Sequence, residues 1–152
     1  MTLSLKVLPV GVFLVAMVIA KLVSLWLPIA SLPALVSMLG GGVTLIIGLI
    51  FGLAGVQLFR RSDTTVNPMH PEQATKLVTT GVYQYSRNPM YLGLLACLLT
   101  WAFYLQTLSG FFAAPLFVLY MNQFQIKPEE MALTRLFGDE FTQYCQRVRR
   151  WL

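Results

Sequence analysis

From Leu35 to Phe59 the chain carries no charged residue. At a rise of ~1.5 Å per residue, ~20 residues span a ~30 Å hydrocarbon core, so this run alone is long enough to cross a bilayer. Three more apolar runs accompany it: Val7 to Leu27, interrupted only by Lys21, then Pro89 to Leu105 and Gly110 to Ile126. They are continuous Leu, Val, Ile, Phe and Ala, without the ~10-residue alternation of a membrane β-barrel strand. Composition agrees, with 57% hydrophobic and 11% charged residues. Eleven basic and six acidic side chains cannot cover a 17.0 kDa globule in water, which excludes an ordinary soluble domain, a disordered chain and a collagen-like repeat. The expected fold is a single all-α integral membrane domain over residues 1–152. Its four transmembrane helices lie at about 7–27, 35–59, 89–105 and 110–126. A loop at 60–88 and a tail at 127–152 with an amphipathic helix complete it. Residues 106–109 join the last two spans as a helical hairpin.

Charge places these segments. Lys6, Arg60, Arg61, Lys76, Arg87, Lys127, Arg135, Arg147, Arg149 and Arg150 all fall on one side of the four-span arrangement, and so do all six acidic residues. The excess of Lys and Arg on cytoplasmic segments puts both termini and the 60–88 loop in the cytoplasm, in a bacterial inner membrane. The N-terminal run exceeds a usual signal-peptide core and lacks a small-x-small site near Ala20. Lys21 reads as a lysine snorkelling to the interface, with a buried functional role as the alternative. The net charge of +5 fits anionic lipid headgroups better than nucleic acid, because the basic residues flank the spans and show no aromatic–basic interleaving of the RNA-binding kind. Cys97 and Cys145 lie in different compartments, so a disulfide is not expected. His70, the single histidine, cannot make a metal site alone. Gly48 and Gly52 share a helix face, which favours close helix approach; a groove for a lipid tail or cofactor is the other reading.

The two cytoplasmic segments carry the chemistry. Pro68, Pro71 and Gly81 argue against one long helix in the loop. The loop ends at Arg87-Asn88-Pro89, where Pro89 suits the first helical turn and Asn88 the N-cap. That helix start offers N–H groups to an anion, and Arg87 a bidentate contact; a plain cap and a positive-inside anchor are the alternative. In the tail, Leu133, Phe137, Phe141, Tyr144, Val148 and Trp151 recur every three or four residues, as in an amphipathic helix broken near Gly138. Glu129 and Glu130 occupy its first turn, where the helix dipole favours them. The helix lies along the membrane or closes over a pocket with Glu129 turned inward.

Gly81-Val-Tyr-Gln-Tyr-Ser-Arg-Asn-Pro-Met-Tyr91 resembles the G-x-Y-x-x-x-R-H-P-x-Y motif of the isoprenylcysteine carboxyl methyltransferases and phospholipid methyltransferases. Glu129-Glu130, Leu133, Phe137-Gly138 and Tyr144 resemble the acidic tail motif of the same family. The resemblance implies a membrane enzyme using S-adenosylmethionine (SAM) and releasing S-adenosylhomocysteine, with a lipophilic acceptor and no metal. Carried over by position, it implies that Lys76, Leu77, Val78, Tyr83, Asn88, Pro89, Met90, Tyr91 and Glu129 line the cofactor pocket, with Arg87 near the carboxylate. Glu129, Gln125 and Arg87 are the candidates for a catalytic role, which the motifs do not assign. Two departures matter. Asn88 replaces the usual histidine and cannot act as a base. Gln125 stands where the carboxyl methyltransferases tend to place an arginine, which weakens a prenylcysteine carboxylate as acceptor. Phosphatidylethanolamine, a prenylated thiol or carboxylate, a quinone-like lipid and a small thiol stay open. A non-enzymatic membrane subunit and a nicotinamide-dependent reductase are the competing functions.

Overall fold

The computed structural model describes residues 7–61 and 75–152, and these are all-α. Lys6, His70, Pro68 and Pro71 lie outside the described residues. Helix α1 is Pro9–Trp26 and α2 is Ala34–Arg61; both are long and apolar enough to cross a membrane. Only 22% and 17% of their apolar windows are buried. A core helix of a soluble protein buries most of its surface, whereas these two expose rows of Leu, Val and Ile. Helix α3 is Pro89–Leu105, about 25 Å long at ~1.5 Å per residue.

The fourth apolar run departs from expectation. Residues Leu108–Phe112 form a 3₁₀ turn, so helix α4 begins only at Ala113 and runs to Tyr120. Gly110 is buried there, and a Cβ on it would meet Ser24 Oγ at 3.1 Å. Helix α4 then passes into a π-helical turn, Met121–Ile126, and directly into α5, Lys127–Phe137. The expected boundary at 126 is therefore no break. Pro128 supplies a physical reason: its ring would crowd the carbonyl four residues back and it has no N–H to give, and a widened turn just before it relieves both. Glu129 and Glu130 consequently sit in a continuous helical run and gain little from a helix N-terminus. The chain turns sharply at Gly138 (φ 52°, ψ −121°), a backbone region that disfavours a side chain, and α6 follows at Asp139–Arg147.

Packing fixes which ends meet. Helices α2 and α3 form the tightest seam: a Cβ on Gly93 would lie 2.7 Å from Gly52 Cα and 3.0 Å from Gly48 O. The small residues thus let the two backbones touch. The main core joins Ala16 and Ala20 of α1 to Leu98 of α3 and Phe117 of α4, with Met121 and Ile126 of the π turn. Trp101 Nε1 donates to Met17 O at 3.1 Å across this core. A second, smaller core gathers Phe141, Tyr144 and Val148 with Leu77, Leu133 and Phe137. At the far end from α5 and α6, Leu32 N donates to Gln106 O and Leu108 N to Ile29 O, tying the α1–α2 join to the α3–α4 join.

Candidate active site

Both sequence motifs come together at one end of the bundle. Gly81, at φ 60°, starts a 3₁₀ turn over Gly81–Gln84 that buries Tyr83. Ser86 is fully buried; its Oγ accepts from Asn88 N at 3.1 Å and donates to Arg150 O at 3.4 Å. Asn88 occupies the N-cap position of α3, but its side chain makes no cap bond. Its Nδ2 donates to Arg150 O at 3.0 Å, which corrects the capping expectation: the amide is oriented by the tail carbonyl that its donor meets, and its oxygen makes no cap bond. Arg87 N donates to Arg149 O at 3.0 Å. Residues 149 and 150 therefore lie across the motif like a strap, their carbonyls satisfying its donors.

The two adjacent glutamates diverge, as neighbours about 100° apart on a helix must. Glu130 receives Arg87 NH2 at 2.8 Å on Oε1, together with Arg150 Nε at 3.1 Å, and Arg150 NH2 at 2.5 Å on Oε2. Arg87 NH1 also donates to Cys145 O at 3.3 Å. The Arg87 guanidinium is thus committed to fastening the tail. Arg150 is held more firmly protonated than usual, first through its bond to Glu130.

Glu129 turns toward α3. Its Oε1 accepts from Tyr91 Oη at 2.5 Å and from Gln125 Nε2 at 2.6 Å. The π turn carries Gln125, 2% exposed, into reach of the glutamate four residues on. Both of these partners are neutral donors. Burial pushes the Glu129 carboxyl up to about 7, the bonds from Tyr91 and Gln125 pull it back, and the charge of Glu130 adds to the rise. Tyr83 lies within electrostatic reach of Glu129 and Tyr91, and its phenol is driven upward by burial first, then by Tyr144 and Glu129. Its backbone carbonyl accepts from Tyr144 Oη at 2.7 Å, which ties α6 to the motif turn. A half-buried carboxylate facing neutral donors, with tyrosines around it, is a place for a cationic group of a ligand.

Among the expected site residues, Tyr83, Tyr91, Gln125 and Glu129 form one cluster. Val78 and Pro89 are buried, Met90 packs against Gly55, and Leu77 belongs to the smaller core. Lys76 is exposed. Arg87 and Asn88 face the tail. Ser86 and Arg150 organise the site without having been singled out in the sequence. Arg150 looks there like one more basic flank of a span, and a buried serine between Tyr85 and Arg87 carries no pattern.

Comparison with known proteins covers most of this architecture. The sequence profile of the Phospholipid methyltransferase family matches residues 36–140. An uncharacterized protein of Haemophilus influenzae is 48% identical over 63 residues, 41% of this chain and 100% of that one. A probable protein-S-isoprenylcysteine O-methyltransferase of Oryza sativa is 35% identical over 116 residues, 74% of this chain and 59% of that one. The protein-S-isoprenylcysteine O-methyltransferase of Schizosaccharomyces pombe is 40% identical over 76 residues, 47% and 30% of the two chains. The chain thus spans 59% or less of these two methyltransferases. No solved structure matches.

Proposed function

We propose a function from one premise: this chain belongs to the phospholipid methyltransferase family. It is a SAM-dependent methyltransferase acting on a lipophilic acceptor at the cytoplasmic face of the membrane. The bundle has four spans, with α3 and the α4–π segment as the third and fourth, and both termini are cytoplasmic. Helix α6 and the second half of α5 form the amphipathic lid of the site.

The observation that carries this reading is the Tyr91–Gln125–Glu129 cluster, which joins the two motifs and in which Glu129 accepts from two neutral donors. SAM brings an ammonium and a sulfonium, and bound there it supplies an electrophilic methyl group whose departure leaves a neutral thioether. Glu129 holds the ammonium. Tyr83 and Tyr91 present aromatic faces and polar edges to the cationic centre. Val78, Pro89 and Met90 close the walls with backbone and apolar contact, and Lys76 and Leu77 border the opening. Glu130 binds neither substrate; with Arg87 and Arg150 it seats the tail, which keeps water from the reacting atoms. Gln125 spends its amide on Glu129 and offers no cation to a carboxylate acceptor. That supports an uncharged nucleophile, and a lipid amine fits the family best.

Detergent-purified protein titrated with SAM, S-adenosylhomocysteine and NADPH tests the reading. Binding of both adenosyl ligands and not of NADPH is expected; no heat and no thermal protection with either adenosyl ligand would overturn it. NADPH binding alone would point to the reductase. Reporter fusions at residue 70 and at the C-terminus should both give a cytoplasmic signal.

A further inference from the structure

Toward the end of the bundle away from the Tyr91–Glu129 contact, a cavity opens beside the second half of α3. It is a groove of about 760 Å³ between the C-terminal ends of α1 and α3 and the first half of α2. Its walls mix Leu25, Met38 and Leu45 with Ser24, Ser37 and Thr107. Lys21 stands exposed on its lip. Ser37 is 6% exposed and its Oγ has no hydrogen-bond partner among the described residues. Such a hydroxyl costs stability unless something outside the chain takes its proton. Ser24 Oγ accepts from Thr107 Oγ1 at 2.8 Å, which leaves its own proton to give. The groove therefore presents one cation and a set of hydroxyl donors. It has no acidic residue in its lining, and the chain has none before position 63. An unmatched lysine within a membrane segment calls for an anion, and the apolar part of the groove calls for hydrocarbon.

We propose that this far-end groove binds an anionic phospholipid by its phosphodiester headgroup, with Lys21 and the Ser37 hydroxyl as donors and an acyl chain lying along α2. The proposal rests on the membrane reading above, which places the groove in the outer half of the bilayer, where the joins carry no Lys or Arg to compete for the headgroup. It does not rest on methyl transfer.

Thermal unfolding of the full chain in a neutral maltoside detergent tests it. The probes are dihexanoyl phosphatidylglycerol, dihexanoyl phosphatidylcholine and inorganic phosphate. Phosphatidylglycerol should raise the midpoint in proportion to the logarithm of its concentration, by about 3–6 °C at ten times its Kd. Lys21→Gln should weaken that response at least tenfold. Ser37→Ala should weaken it several-fold while leaving the lipid-free midpoint unchanged or higher, because the hydroxyl has no internal bond to lose; a merely packing serine would leave the lipid response intact. An equal response to phosphatidylcholine, an equal response to inorganic phosphate, or an unchanged response in both variants would each overturn the proposal. S-adenosylhomocysteine added to the same preparation separates the two ideas. Loss of that response with the phosphatidylglycerol response retained would sink the methyltransferase and leave the lipid site standing.

Discussion

Glu129 sets the pH behaviour of the site. Its carboxyl is raised from the ordinary 4.5 to about 7 by burial, so between those two values the folded chain without ligand holds a proton that the unfolded chain has released. Stability from this group is complete below about 4.5 and is lost as pH rises through about 7. A cationic ligand requires the opposite state. Affinity for SAM should climb by up to about tenfold per pH unit below 7 and level off above it, with one proton released on binding. Glu129→Gln should bind weakly at every pH and flatten both curves; calorimetry in buffers of different ionisation heat measures the proton directly. Tyr91→Phe removes a bond that lowers the same carboxyl. Its affinity at pH 7 should fall several-fold and recover above pH 8, whereas a binding curve with unchanged pH midpoint would dissociate Tyr91 from Glu129. The acidic pair and the tyrosine were legible as motif positions. That Glu129 faces α3 while Glu130 faces the arginines depends on the phase of the α4–π–α5 run, and a single π turn shifts that phase without any mark in the apolar pattern.

Helices are legible where one physical constraint acts alone. The long uncharged run gave α2, extended by two residues to Arg61, and Pro89 gave the start of α3. The fourth helix was misplaced at its N-terminus because Gly110 is held by α1, a contact between residues 86 apart that local composition cannot express. The glycines of α2 and α3 illustrate the same point, since they look alike in sequence and differ in environment. A methyl at Gly93 meets only backbone atoms of α2 at 2.7 to 3.0 Å, so the helices must part. Gly93→Ala should cost about 1–3 kcal/mol, read from thermal unfolding in detergent. Gly42 meets nothing within 4 Å, and Gly42→Ala should be neutral or stabilise by up to about 1 kcal/mol through helix propensity. Equal effects of the two substitutions would mean that the α2–α3 seam is looser than its geometry.

For the molecule as a whole, the apolar bundle and the polar end are joined by the tail. Arg87 is 13% exposed and Arg150 31%, and both converge on Glu130. Glu130→Ala leaves the more buried guanidinium without its carboxylate and should cost about 2–3 kcal/mol. Arg150→Ala leaves the Arg87–Glu130 pair intact and should cost about 1 kcal/mol or less. None of this long-range docking was visible in the sequence, because it is made largely by carbonyls. Arg149 O takes Arg87 N, Arg150 O takes Ser86 Oγ and Asn88 Nδ2, and Trp151 Nε1 reaches Asn122 Oδ1 at 3.1 Å. Backbone acceptors are blind to side-chain identity, so no residue pattern announces them. A consequence follows for a chain shortened by four residues, ending at Val148. It keeps Tyr83, Tyr91, Gln125 and Glu129 and every apolar contact of the smaller core. It loses the acceptors of Arg87 N, Ser86 and Asn88, the second cation on Glu130 and the Trp151 anchor. Its helix content by circular dichroism should stay near that of the full chain, while affinity for S-adenosylhomocysteine should drop by at least about tenfold, the equivalent of 1.4 kcal/mol. Supplying the substitution Asn88→Ala in the full chain should give a smaller loss, because only one of those bonds is removed. Unchanged affinity in the shortened chain would mean that the strap lies over the motif without holding it, and that the Tyr91–Gln125–Glu129 cluster is organised from within the bundle alone.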